Sequence, residues 1–585
     1  MGARRISKDS EKPFHPWVSL PTSAVLPEEA EVPDSIWQAI KGTISVLVLL
    51  SIAGAAAQDQ PPTRLESGRS ITRTIRSGEV QRYQISARTG DFIRGTVNQD
   101  GMTINLKGFF PDGSKIRSFS GPPNGTKGFR FVAEAAGDYQ LELTAATGGS
   151  PEGRYTITFE PAQPIAERLS IPVPEPLYSS PRIRALANQV ESGDKEAVRR
   201  FWDQARQEGT PLAEEAPNDP SHVLATFVWQ ATFEIHNVLV LWNPYATEHP
   251  DDYQMRRLKD TDLWYKTLLL PRGARFLYQL SPNDTLTRSP NAQRFATAQA
   301  DPLNRRRQPP EASVTKYEVS SIAELPGATP QPWSDPRPGV PAGELHKHRV
   351  ESAVLGNQRS VTVYTPPGYQ KEGRSYPWLL LLDEVTYQSQ VPAPVILDNL
   401  IAERRIAPMV AVLVGYPTQS DRERELFANP HFADFVSQEL VPWVSREYHV
   451  STDPVRNVIG GLSAGGFGAA YLALHHAEVF GNVISQSGAF WWSPRRGEGE
   501  EPNWLAREYA GSARQPVKFY LEAGMFENDI KGSGGQILET SRTLREVLRA
   551  KGYEVIYHEF PGGHDYLTWR GSLADALLAT VGARQ

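Results

Sequence analysis

Hydrophobic and polar residues alternate along two separate stretches of this 585-residue chain. Between Arg64 and Pro161, short alternating segments such as VQRYQISART and DYQLELTA are separated by turn sequences, including Pro111-Asp112-Gly113. Strands of this length and spacing are typical of an antiparallel β-sandwich. The alternation returns between about His222 and Leu280, in HVLATFVWQ and RFLYQLSP. The pattern therefore predicts two sandwiches in the N-terminal half of the chain.

A different pattern begins near Glu344. Continuous apolar segments, among them WLLLLDE and MVAVLVGYP, alternate with amphipathic segments such as SRTLREVLRAKG. Strands that are apolar on both faces need helices on both sides of the sheet. This region is therefore predicted to form a mostly parallel sheet between two layers of helices.

A glycine-rich segment lies between one of these buried strands and a predicted helix. Gly461-Leu462-Ser463-Ala464-Gly465 matches G-x-S-x-G, the nucleophile elbow of α/β-hydrolases. A tight strand-to-helix turn strains the serine backbone and leaves no room for side chains on its neighbours, which explains the glycines. We therefore predict that Ser463 is a catalytic nucleophile, rather than part of a turn that only packs a strand against a helix.

A serine nucleophile needs a general base, which follows it along the chain in this fold. The histidines after Ser463 are His475, His476, His558 and His564. The first two lie on the helix that leaves the elbow, and His558 lies within a strand pattern. His564 follows a strand end through two glycines, which suits a loop that bends over the sheet. His564 is the predicted base.

The acid and the oxyanion hole are expected in two further loops. The loop MFENDI after the penultimate strand offers Glu527 and Asp529. Glu527 is the predicted acid; Asp529, or a Ser–His dyad without an acid, is the alternative. The oxyanion hole is expected to combine the backbone N–H of Ala464 with that of Glu384 or Val385, which follow WLLLLD.

The N-terminus carries the features of an export signal. Lys41 precedes an uncharged apolar run, Ile44 to Ala57, that ends in an A-x-A pattern. The run is too short to span a bilayer comfortably. We predict a leader cleaved near Ala57, a periplasmic or secreted mature protein that begins near Gln58, and no stable membrane insertion afterwards. An uncleaved anchor that starts near Ile36 is the alternative.

The fold class predicted for the whole chain is multidomain, with two N-terminal all-β sandwiches followed by a C-terminal α/β-hydrolase domain. A proline-rich stretch and a helical segment separate the two sandwiches. The predicted segments are a leader (1–57), the first sandwich (64–161), a linker with helices (162–215), a second sandwich of immunoglobulin type (216–310), a linker (311–343) and the hydrolase domain (344–585).

Composition limits the classes of partner and of reaction that are expected. The net charge is -6 and the basic residues are scattered, so neither nucleic acid nor an anionic membrane is an expected partner. The chain has no cysteine, which excludes disulfides, thiolate metal sites and cysteine nucleophiles. The predicted chemistry needs no metal and no cofactor, and the expected partner is a small-molecule ester.

Three segments resemble the enterochelin esterases, which hydrolyse the trilactone of ferric enterobactin. They are GGLSAGGFGAAYLALHHAEVFGNVISQSGAFWW, LEAGMFEND and GGHDYLTWRG. The family's serine, acid and histidine fall on Ser463, Glu527 and His564. Through DTDLWYKTLLLPRGARFLYQLSPND, the second sandwich resembles that family's N-terminal domain. The first sandwich, with GD, PDG and AGDY in order, resembles the pre-peptidase C-terminal domain, a non-catalytic module of secreted hydrolases.

The resemblance implies a serine esterase acting on a catecholate siderophore or a similar ester, and the predicted leader implies that this esterase is exported. A carbohydrate esterase that removes feruloyl or acetyl groups from xylan is the first alternative, because aromatic side chains stack equally well on catechol and ferulate rings. A binding or adhesion protein with an inactive hydrolase domain is the second. Arginines would favour the anionic siderophore complex. The expected substrate contacts are Arg422, Trp491, Trp492, Trp569 and Arg570.

Overall fold

The computed structural model of this chain contains two compact units. The first consists of the described residues before 171 together with those in 283–299 and 311–319, and the second consists of all others. The predicted leader, 1–57, lies outside the described residues. The structure describes residues 61–119, 121, 125–147, 150–164, 173–242, 253–284, 286, 296–310, 314–373, 375–494, 503–527 and 536–582.

The first unit contains two sheets that share one hydrophobic cluster. Along its strands, buried and exposed side chains alternate because successive residues face opposite sides of a sheet. Tyr139, Leu141 and Leu143 show this alternation and are fully buried. The sheet orders are β1-β3-β8-β5-β6 and β2-β9-β4-β7. The strands are β1 (Thr63–Arg64), β2 (Ser70–Arg76), β3 (Val80–Ala87), β4 (Phe92–Asp100), β5 (Ile104–Phe109), β6 (Lys115–Phe119), β7 (Gly125–Val132), β8 (Gly137–Ala145) and β9 (Glu152–Phe159).

The second unit begins with the predicted helical segment. It forms α1 (Pro181–Glu191) and α2 (Ala197–Glu208). Ser180 caps α1 by accepting a hydrogen bond from the Ile183 N–H at 3.1 Å, which satisfies one of the unpaired donors of the first turn. The apolar faces of both helices belong to one cluster with residues of the strands that follow. The helices therefore cover part of the next β-rich region.

That β-rich region has two four-stranded sheets, β10-β11-β14-β13 and β12-β15-β17-β16. Strand β17 lies within 311–343, which the sequence predicts to be a linker, and it pairs with β15 through Arg275 and Glu324. A five-residue strand after a proline- and arginine-rich stretch has too little alternation to be recognised. The strands are β10 (Leu212–Glu215), β11 (His222–Gln230), β12 (Val238–Leu241), β13 (Arg256–Arg257), β14 (Leu263–Pro271), β15 (Arg275–Pro282), β16 (Arg307–Gln308) and β17 (Ser320–Glu324).

The C-terminal part is an eight-stranded sheet in the order β18-β19-β21-β20-β22-β23-β24-β25. Strands β18 and β19 pair antiparallel, and the strands from β21 onward are parallel. The central strands are apolar and fully buried, as predicted for a sheet covered on both faces. The strands are β18 (Glu344–Ser352), β19 (Asn357–Thr365), β20 (Trp378–Leu382), β21 (Val410–Val414), β22 (Val458–Leu462), β23 (Asn482–Gln486), β24 (Lys518–Gly524) and β25 (Glu554–Phe560).

Helices and shorter helical turns connect these strands and form two hydrophobic clusters with them. In the part of the chain that the structure describes, we find no helix with the length and apolar character needed to cross a membrane. The helices are α3 (Glu384–Ser389), α4 (Ala393–Ala402), α5 (Gln419–Leu426), α6 (Pro430–Asp434), α7 (Val441–Glu447), α8 (Ala464–His475), α9 (Trp504–Gly511), α10 (Ile537–Ala550) and α11 (Tyr566–Val581), with a π-helical turn at Phe435–Leu440 and a 3-10 turn at Pro454–Arg456.

Candidate active site

Ser463 occupies a strained position between β22 and α8. Its backbone has φ 56° and ψ -119°, a conformation that side-chain-bearing residues rarely adopt. The turn is held by hydrogen bonds: the Ser463 N–H donates to the Gln486 carbonyl at 2.9 Å, and its own carbonyl accepts from the Ala489 N–H at 2.9 Å. The strain is thus maintained by the neighbouring strand β23 and the residues that follow it.

Two glycines make this turn possible. A Cβ on Gly461 would collide with the backbone of Gly465, and one on Gly466 would lie 2.6 Å from the Ser485 hydroxyl. Either side chain would push α8 away from the sheet. The sequence argument for the glycines of the motif therefore has a direct steric counterpart in the structure.

His564 and Glu527 form a buried pair. His564 Nδ1 lies 2.7 Å from Glu527 Oε1, and the two side chains are 4% and 0% exposed. The other carboxylate oxygen, Oε2, accepts a hydrogen bond from the Gly524 N–H at 2.7 Å. A carboxylate at Nδ1 favours the tautomer with the proton on that atom, so Nε2 is the nitrogen that can take up a proton. Asp529, the alternative acid, lies outside the described residues.

Trp569 supports the histidine ring from α11. The His564 and Trp569 ring centroids are 4.7 Å apart and the rings are nearly perpendicular, at 88°. The Trp569 indole N–H donates to the Ser487 hydroxyl at 3.0 Å, and the side chain is buried. The structure thus places Trp569 beneath the predicted base, where it orients the ring, and away from a solvent-exposed stacking surface.

The loop after β20 presents a second helix N-terminus. Asp383 has φ 98°, and α3 begins at the next residue, Glu384. The first backbone N–H groups of an α-helix have no partner within that helix, so those of Glu384 and Val385 and that of Ala464 at the start of α8 are donors of the kind an oxyanion needs. Val385 is exposed, whereas the Glu384 side chain is buried.

The Glu384 side chain turns away from this helix end. Its carboxylate accepts a hydrogen bond from the Ser360 hydroxyl at 2.8 Å and another from Thr362. Gly415 provides the space, because a Cβ there would lie 2.5 Å from Glu384 Oε2. The strand β19 and the residue after β21 thus accommodate a glutamate at this position without blocking the backbone N–H.

Arg422 is bound to the same loop. Its guanidinium donates hydrogen bonds to both carboxylate oxygens of Asp383, with Nη2 2.6 Å from Oδ2. Burial acts to lower the pKa of Arg422, but the charge of Asp383 and its hydrogen bonds outweigh burial and raise it. The arginine expected to contact substrate therefore already has a bidentate partner in the loop that carries the predicted oxyanion donors.

The remaining predicted substrate contacts fall into two places. Trp492 stacks on Phe427 at 5.3 Å with an interplanar angle of 9°, and Trp491 lies 6.2 Å from the same ring. Both tryptophans are half-buried. Arg570 instead donates to the Ser334 carbonyl at 3.1 Å and to Asp335. The two tryptophans thus share one aromatic cluster, and Arg570 is fixed to another loop.

A buried polar network lies behind the elbow and escaped the sequence analysis. The Gln486 side chain donates to the Trp569 carbonyl at 2.9 Å and to the Ser572 hydroxyl at 2.8 Å. Ser572 donates to Glu522 at 2.6 Å. Burial raises the pKa of Glu522 to about 8, against the hydrogen bonds from Ser572 and Gln486 that act to lower it. Glu522 lies within a strand pattern, and only its polarity there could have signalled this role.

The charged residues gathered here do not form a metal site. Among the residues that the structure describes, we find no three histidine, aspartate or glutamate side chains placed to hold a metal ion.

Two family models match the chain. The Esterase model matches residues 352–580, and the model of the enterochelin esterase N-terminal domain matches residues 224–334. An iron(III) enterobactin esterase from Dickeya dadantii is 30% identical over 414 residues, which cover 91% of that protein and 64% of this chain. An iron(III) salmochelin esterase from Escherichia coli is 27% identical over 412 residues, which cover 96% of that protein and 68% of this chain.

A solved structure matches the fold of this chain over a similar length. The crystal structure of ferric enterobactin esterase from Salmonella typhimurium is 26% identical in sequence and matches with a TM-score of 0.53. The match covers 64% of this chain and 98% of that one.

Proposed function

Because the chain belongs to the enterobactin esterase family of carboxylic ester hydrolases, we propose that it cleaves an ester bond of a catecholate siderophore through an acyl-enzyme on Ser463. The observation that carries the proposal is the buried pair of His564 and Glu527, 2.7 Å apart, in a chain that also has a strained serine at the strand-to-helix turn. Any iron arrives with the substrate.

The first half of the reaction forms the acyl-enzyme. His564 Nε2 takes the proton of the Ser463 hydroxyl as its oxygen attacks the ester carbonyl. Glu527 holds the ring in the correct tautomer and stabilises its positive charge. The backbone N–H of Ala464 and that of Glu384 or Val385 donate to the oxyanion. Collapse of the tetrahedral intermediate expels the alkoxide, which receives the proton from His564.

The second half releases the acid product. A water molecule gives its proton to His564 as its oxygen attacks the acyl carbonyl, and the second tetrahedral intermediate expels Ser463, which regains its proton. No metal and no cofactor enters either half-reaction. The enzyme therefore needs only the ester and water.

The surrounding residues take two roles in this proposal. Trp491 and Trp492, in the cluster that they form with Phe427, are the aromatic side chains assigned to stacking on a catechol ring. Arg422 positions the loop of the oxyanion donors through Asp383, since both carboxylate oxygens of that residue bind its guanidinium. Arg570 is held by the loop at Ser334 and contributes at most to the electrostatic potential of the site.

We also infer the organisation and location of the whole protein from the sequence. Residues 64–161 act as a separate non-catalytic sandwich of the pre-peptidase type, and the second β-rich region forms another sandwich beside the hydrolase domain. Both regions have two sheets with a common apolar cluster, which supports this organisation. Export by the leader 1–57 would put the enzyme where an iron siderophore can be opened before transport into the cell.

Ser463→Ala tests the chemistry. We expect nearly complete loss of turnover of ferric enterobactin and of p-nitrophenyl acetate, with unfolding unchanged. Among the described residues, the buried Ser485 hydroxyl on β23 has no hydrogen-bond partner. Ser485→Ala is therefore a matched control that should retain activity. Full activity of Ser463→Ala would refute the proposal.

The substrate class is tested by competition between esters. Ferric enterobactin, methyl ferulate and acetylated xylan are compared by kcat/KM, and we expect the siderophore to be preferred. A preference for either of the others would identify a carbohydrate esterase. Failure of folded protein to react with a fluorophosphonate probe would instead support the inactive binding protein.

A further inference from the structure

We infer that the second β-rich region, β10–β17, holds the catalytic acid and base in place and is thus part of the catalytic machinery. The inference rests on the proposed roles of Glu527 and His564. Its basis is that strand β15 contacts both loops that carry these residues, and that Trp242, which follows β12, contacts the loop of Glu527. Phe526, the residue before Glu527, is the positioning residue on the acid side.

On the acid side, Phe526 inserts into an aromatic pocket of the β-rich region. Its ring lies 5.1 Å from the ring of Trp242, which follows β12, and 5.9 Å from that of Phe276 on β15. Both contacts are edge-to-face, at 84° and 82°. Edge-to-face packing is a favoured geometry for aromatic pairs, so these contacts hold the Phe526 ring in a defined orientation. Because Glu527 is the next residue, the position of the Phe526 ring fixes the backbone from which the Glu527 side chain extends.

On the base side, backbone groups of β15 contact the turn around His564. The Arg275 N–H donates to the Pro561 carbonyl at 3.0 Å. The Leu277 N–H donates to the carboxylate of Asp565, which also caps α11 through the Thr568 N–H at 3.3 Å. One strand of the β-rich region is therefore bonded on both sides of the catalytic histidine.

The two loops are also bonded to each other. The Phe526 N–H donates to the Gly562 carbonyl at 3.1 Å, and the Met525 N–H donates to the Phe560 carbonyl at 2.9 Å. A shift of Phe526 out of its pocket would therefore displace the acid and disturb the turn before the base. Because a displacement of about 1 Å can reduce a rate 100-fold, this anchoring has direct catalytic consequences.

Phe526→Ala tests the inference in the full chain. We expect kcat for p-nitrophenyl acetate to fall by about 10- to 100-fold with little change in KM, because the ester still binds but meets a misplaced base. The low-field proton resonance of the His564 Nδ1–H should weaken or disappear in the same variant. Phe526→Tyr keeps the ring in the pocket and should restore both the rate and the resonance.

Phe201→Ala is the matched control. Phe201 is a buried phenylalanine of α2 that packs on the same β-rich region but belongs to a different apolar cluster from Phe526. This variant should lose stability and keep both kcat and the resonance. If Phe526→Ala does not fold, Trp242→Phe replaces it, because this change only makes one side chain of the pocket smaller. The kcat for p-nitrophenyl acetate and the His564 resonance then test the inference in that variant.

The outcomes separate this inference from the proposed function. Wild-type kcat and a wild-type resonance in folded Phe526→Ala would overturn the inference alone. If the wild-type protein hydrolyses no ester and does not react with a fluorophosphonate, the proposed function fails. The resonance still tests the inference in that case, because it requires no substrate.

Discussion

Glu527 uses both of its carboxylate oxygens, one with His564 and the other with the backbone of its own loop. Oε1 accepts from His564 Nδ1 and Oε2 accepts from the Gly524 N–H, both at 2.7 Å. Both partners are donors, so the site requires two acceptors on one planar group. A carboxylate meets that requirement and a carboxamide does not.

Glu527→Gln is therefore expected to be far more disruptive than its small change in shape suggests. The amide must present an N–H group to one of two donors, so the loop or the histidine has to move. We expect kcat to fall by about 10²- to 10⁴-fold, as for removal of a triad acid. Steady-state hydrolysis of p-nitrophenyl acetate measures the effect.

Asp529→Asn is the control for this prediction and should change kcat little. The reverse result would make Asp529 the acid. Wild-type rates in both variants would mean that Ser463 and His564 act as a dyad.

Glu522 gives the protein a pH-dependent stability through its buried carboxyl. Its pKa is about 8 in the folded protein, raised by burial from the ordinary value of 4.5. Between these two values the folded protein retains a proton that the unfolded chain releases. Folding stability therefore falls as pH rises through this window, by at most about 1.4 kcal/mol per pH unit.

Glu522→Gln should remove that dependence. The amide is always neutral and can still accept from Ser572 and Gln486, so the variant should match the wild type near pH 5 and be more stable near pH 8. Melting temperatures across this range measure the difference.

Glu559→Gln is the control of opposite sign. The hydrogen bond from Arg542 lowers the pKa of Glu559, so its contribution is present at neutral pH and is lost on acidification. Its replacement should lower the melting temperature at neutral pH. If the melting temperatures of Glu522→Gln and the wild type change in parallel with pH, the role assigned to the Glu522 carboxyl is wrong.

Two ion pairs hold helix α5 in place, one with the loop after β20 and one with strand β19. Arg422 binds Asp383, and Glu425, one turn later, accepts two hydrogen bonds of 2.9 Å from Arg359 on β19. Arg359 and Glu425 are almost completely buried, and the guanidinium also lies 4.5 Å from the centre of the Phe435 ring. The segment Arg422–Leu426 thus supplies one charge to the loop after β20 and another to the core.

Arg359→Met should destabilise the protein by about 3–5 kcal/mol, because it leaves the Glu425 charge buried without its partner. The double variant Arg359→Met/Glu425→Leu should recover most of this loss, since no buried charge remains. Urea denaturation of the single and double variants checks the prediction. A double variant no more stable than Arg359→Met would show that the pair has no specific coupling.

The sequence could predict the elements that carry the candidate active site but not all of the contacts that these elements make. The elbow at Ser463 and the loops of Glu527 and His564 were predictable because each lies at the end of an apolar strand. The bonds of Arg422 and Glu425 join residues far apart in the chain, and no local pattern encodes them. From the sequence, Trp569 was expected to stack on substrate. Its contact with the His564 ring depends on how helix α11 packs, which no local sequence pattern shows.

At the scale of the whole molecule, the described residues 314–319 belong to the first unit although they lie, along the chain, between strands of the second. The Glu318 carboxylate accepts from the Ser118 N–H at 2.7 Å and from Lys115 Nζ at 3.0 Å, both on β6. Arg117 donates to the Tyr317 carbonyl at 3.0 Å. The sequence predicts a linker here because proline and polar residues dominate. The contacts with β6 could not be predicted, because they join residues that are far apart in the chain. The confirmed features are the β-rich N-terminal part, the C-terminal esterase domain and the relationship to enterochelin esterases.

A chain shortened to begin at Ser179 should therefore retain catalysis but become more sensitive to trypsin at Lys316. All residues of the proposed triad and the aromatic pocket of Phe526 lie in the second unit, so kcat/KM for ferric enterobactin should stay within about twofold of the full chain. The segment around Lys316 loses Glu134, 2.7 Å away, and the contacts of its neighbours with β6. Trypsin should then cut after Lys316 faster than in the full-length protein. Tyr317→Ala in the full chain is the control: it should accelerate the same cleavage while strands β1–β9 remain. A shortened chain with greatly reduced turnover would show that strands β1–β9 take part in catalysis, and unchanged cleavage would show that their contacts do not protect residues 314–319.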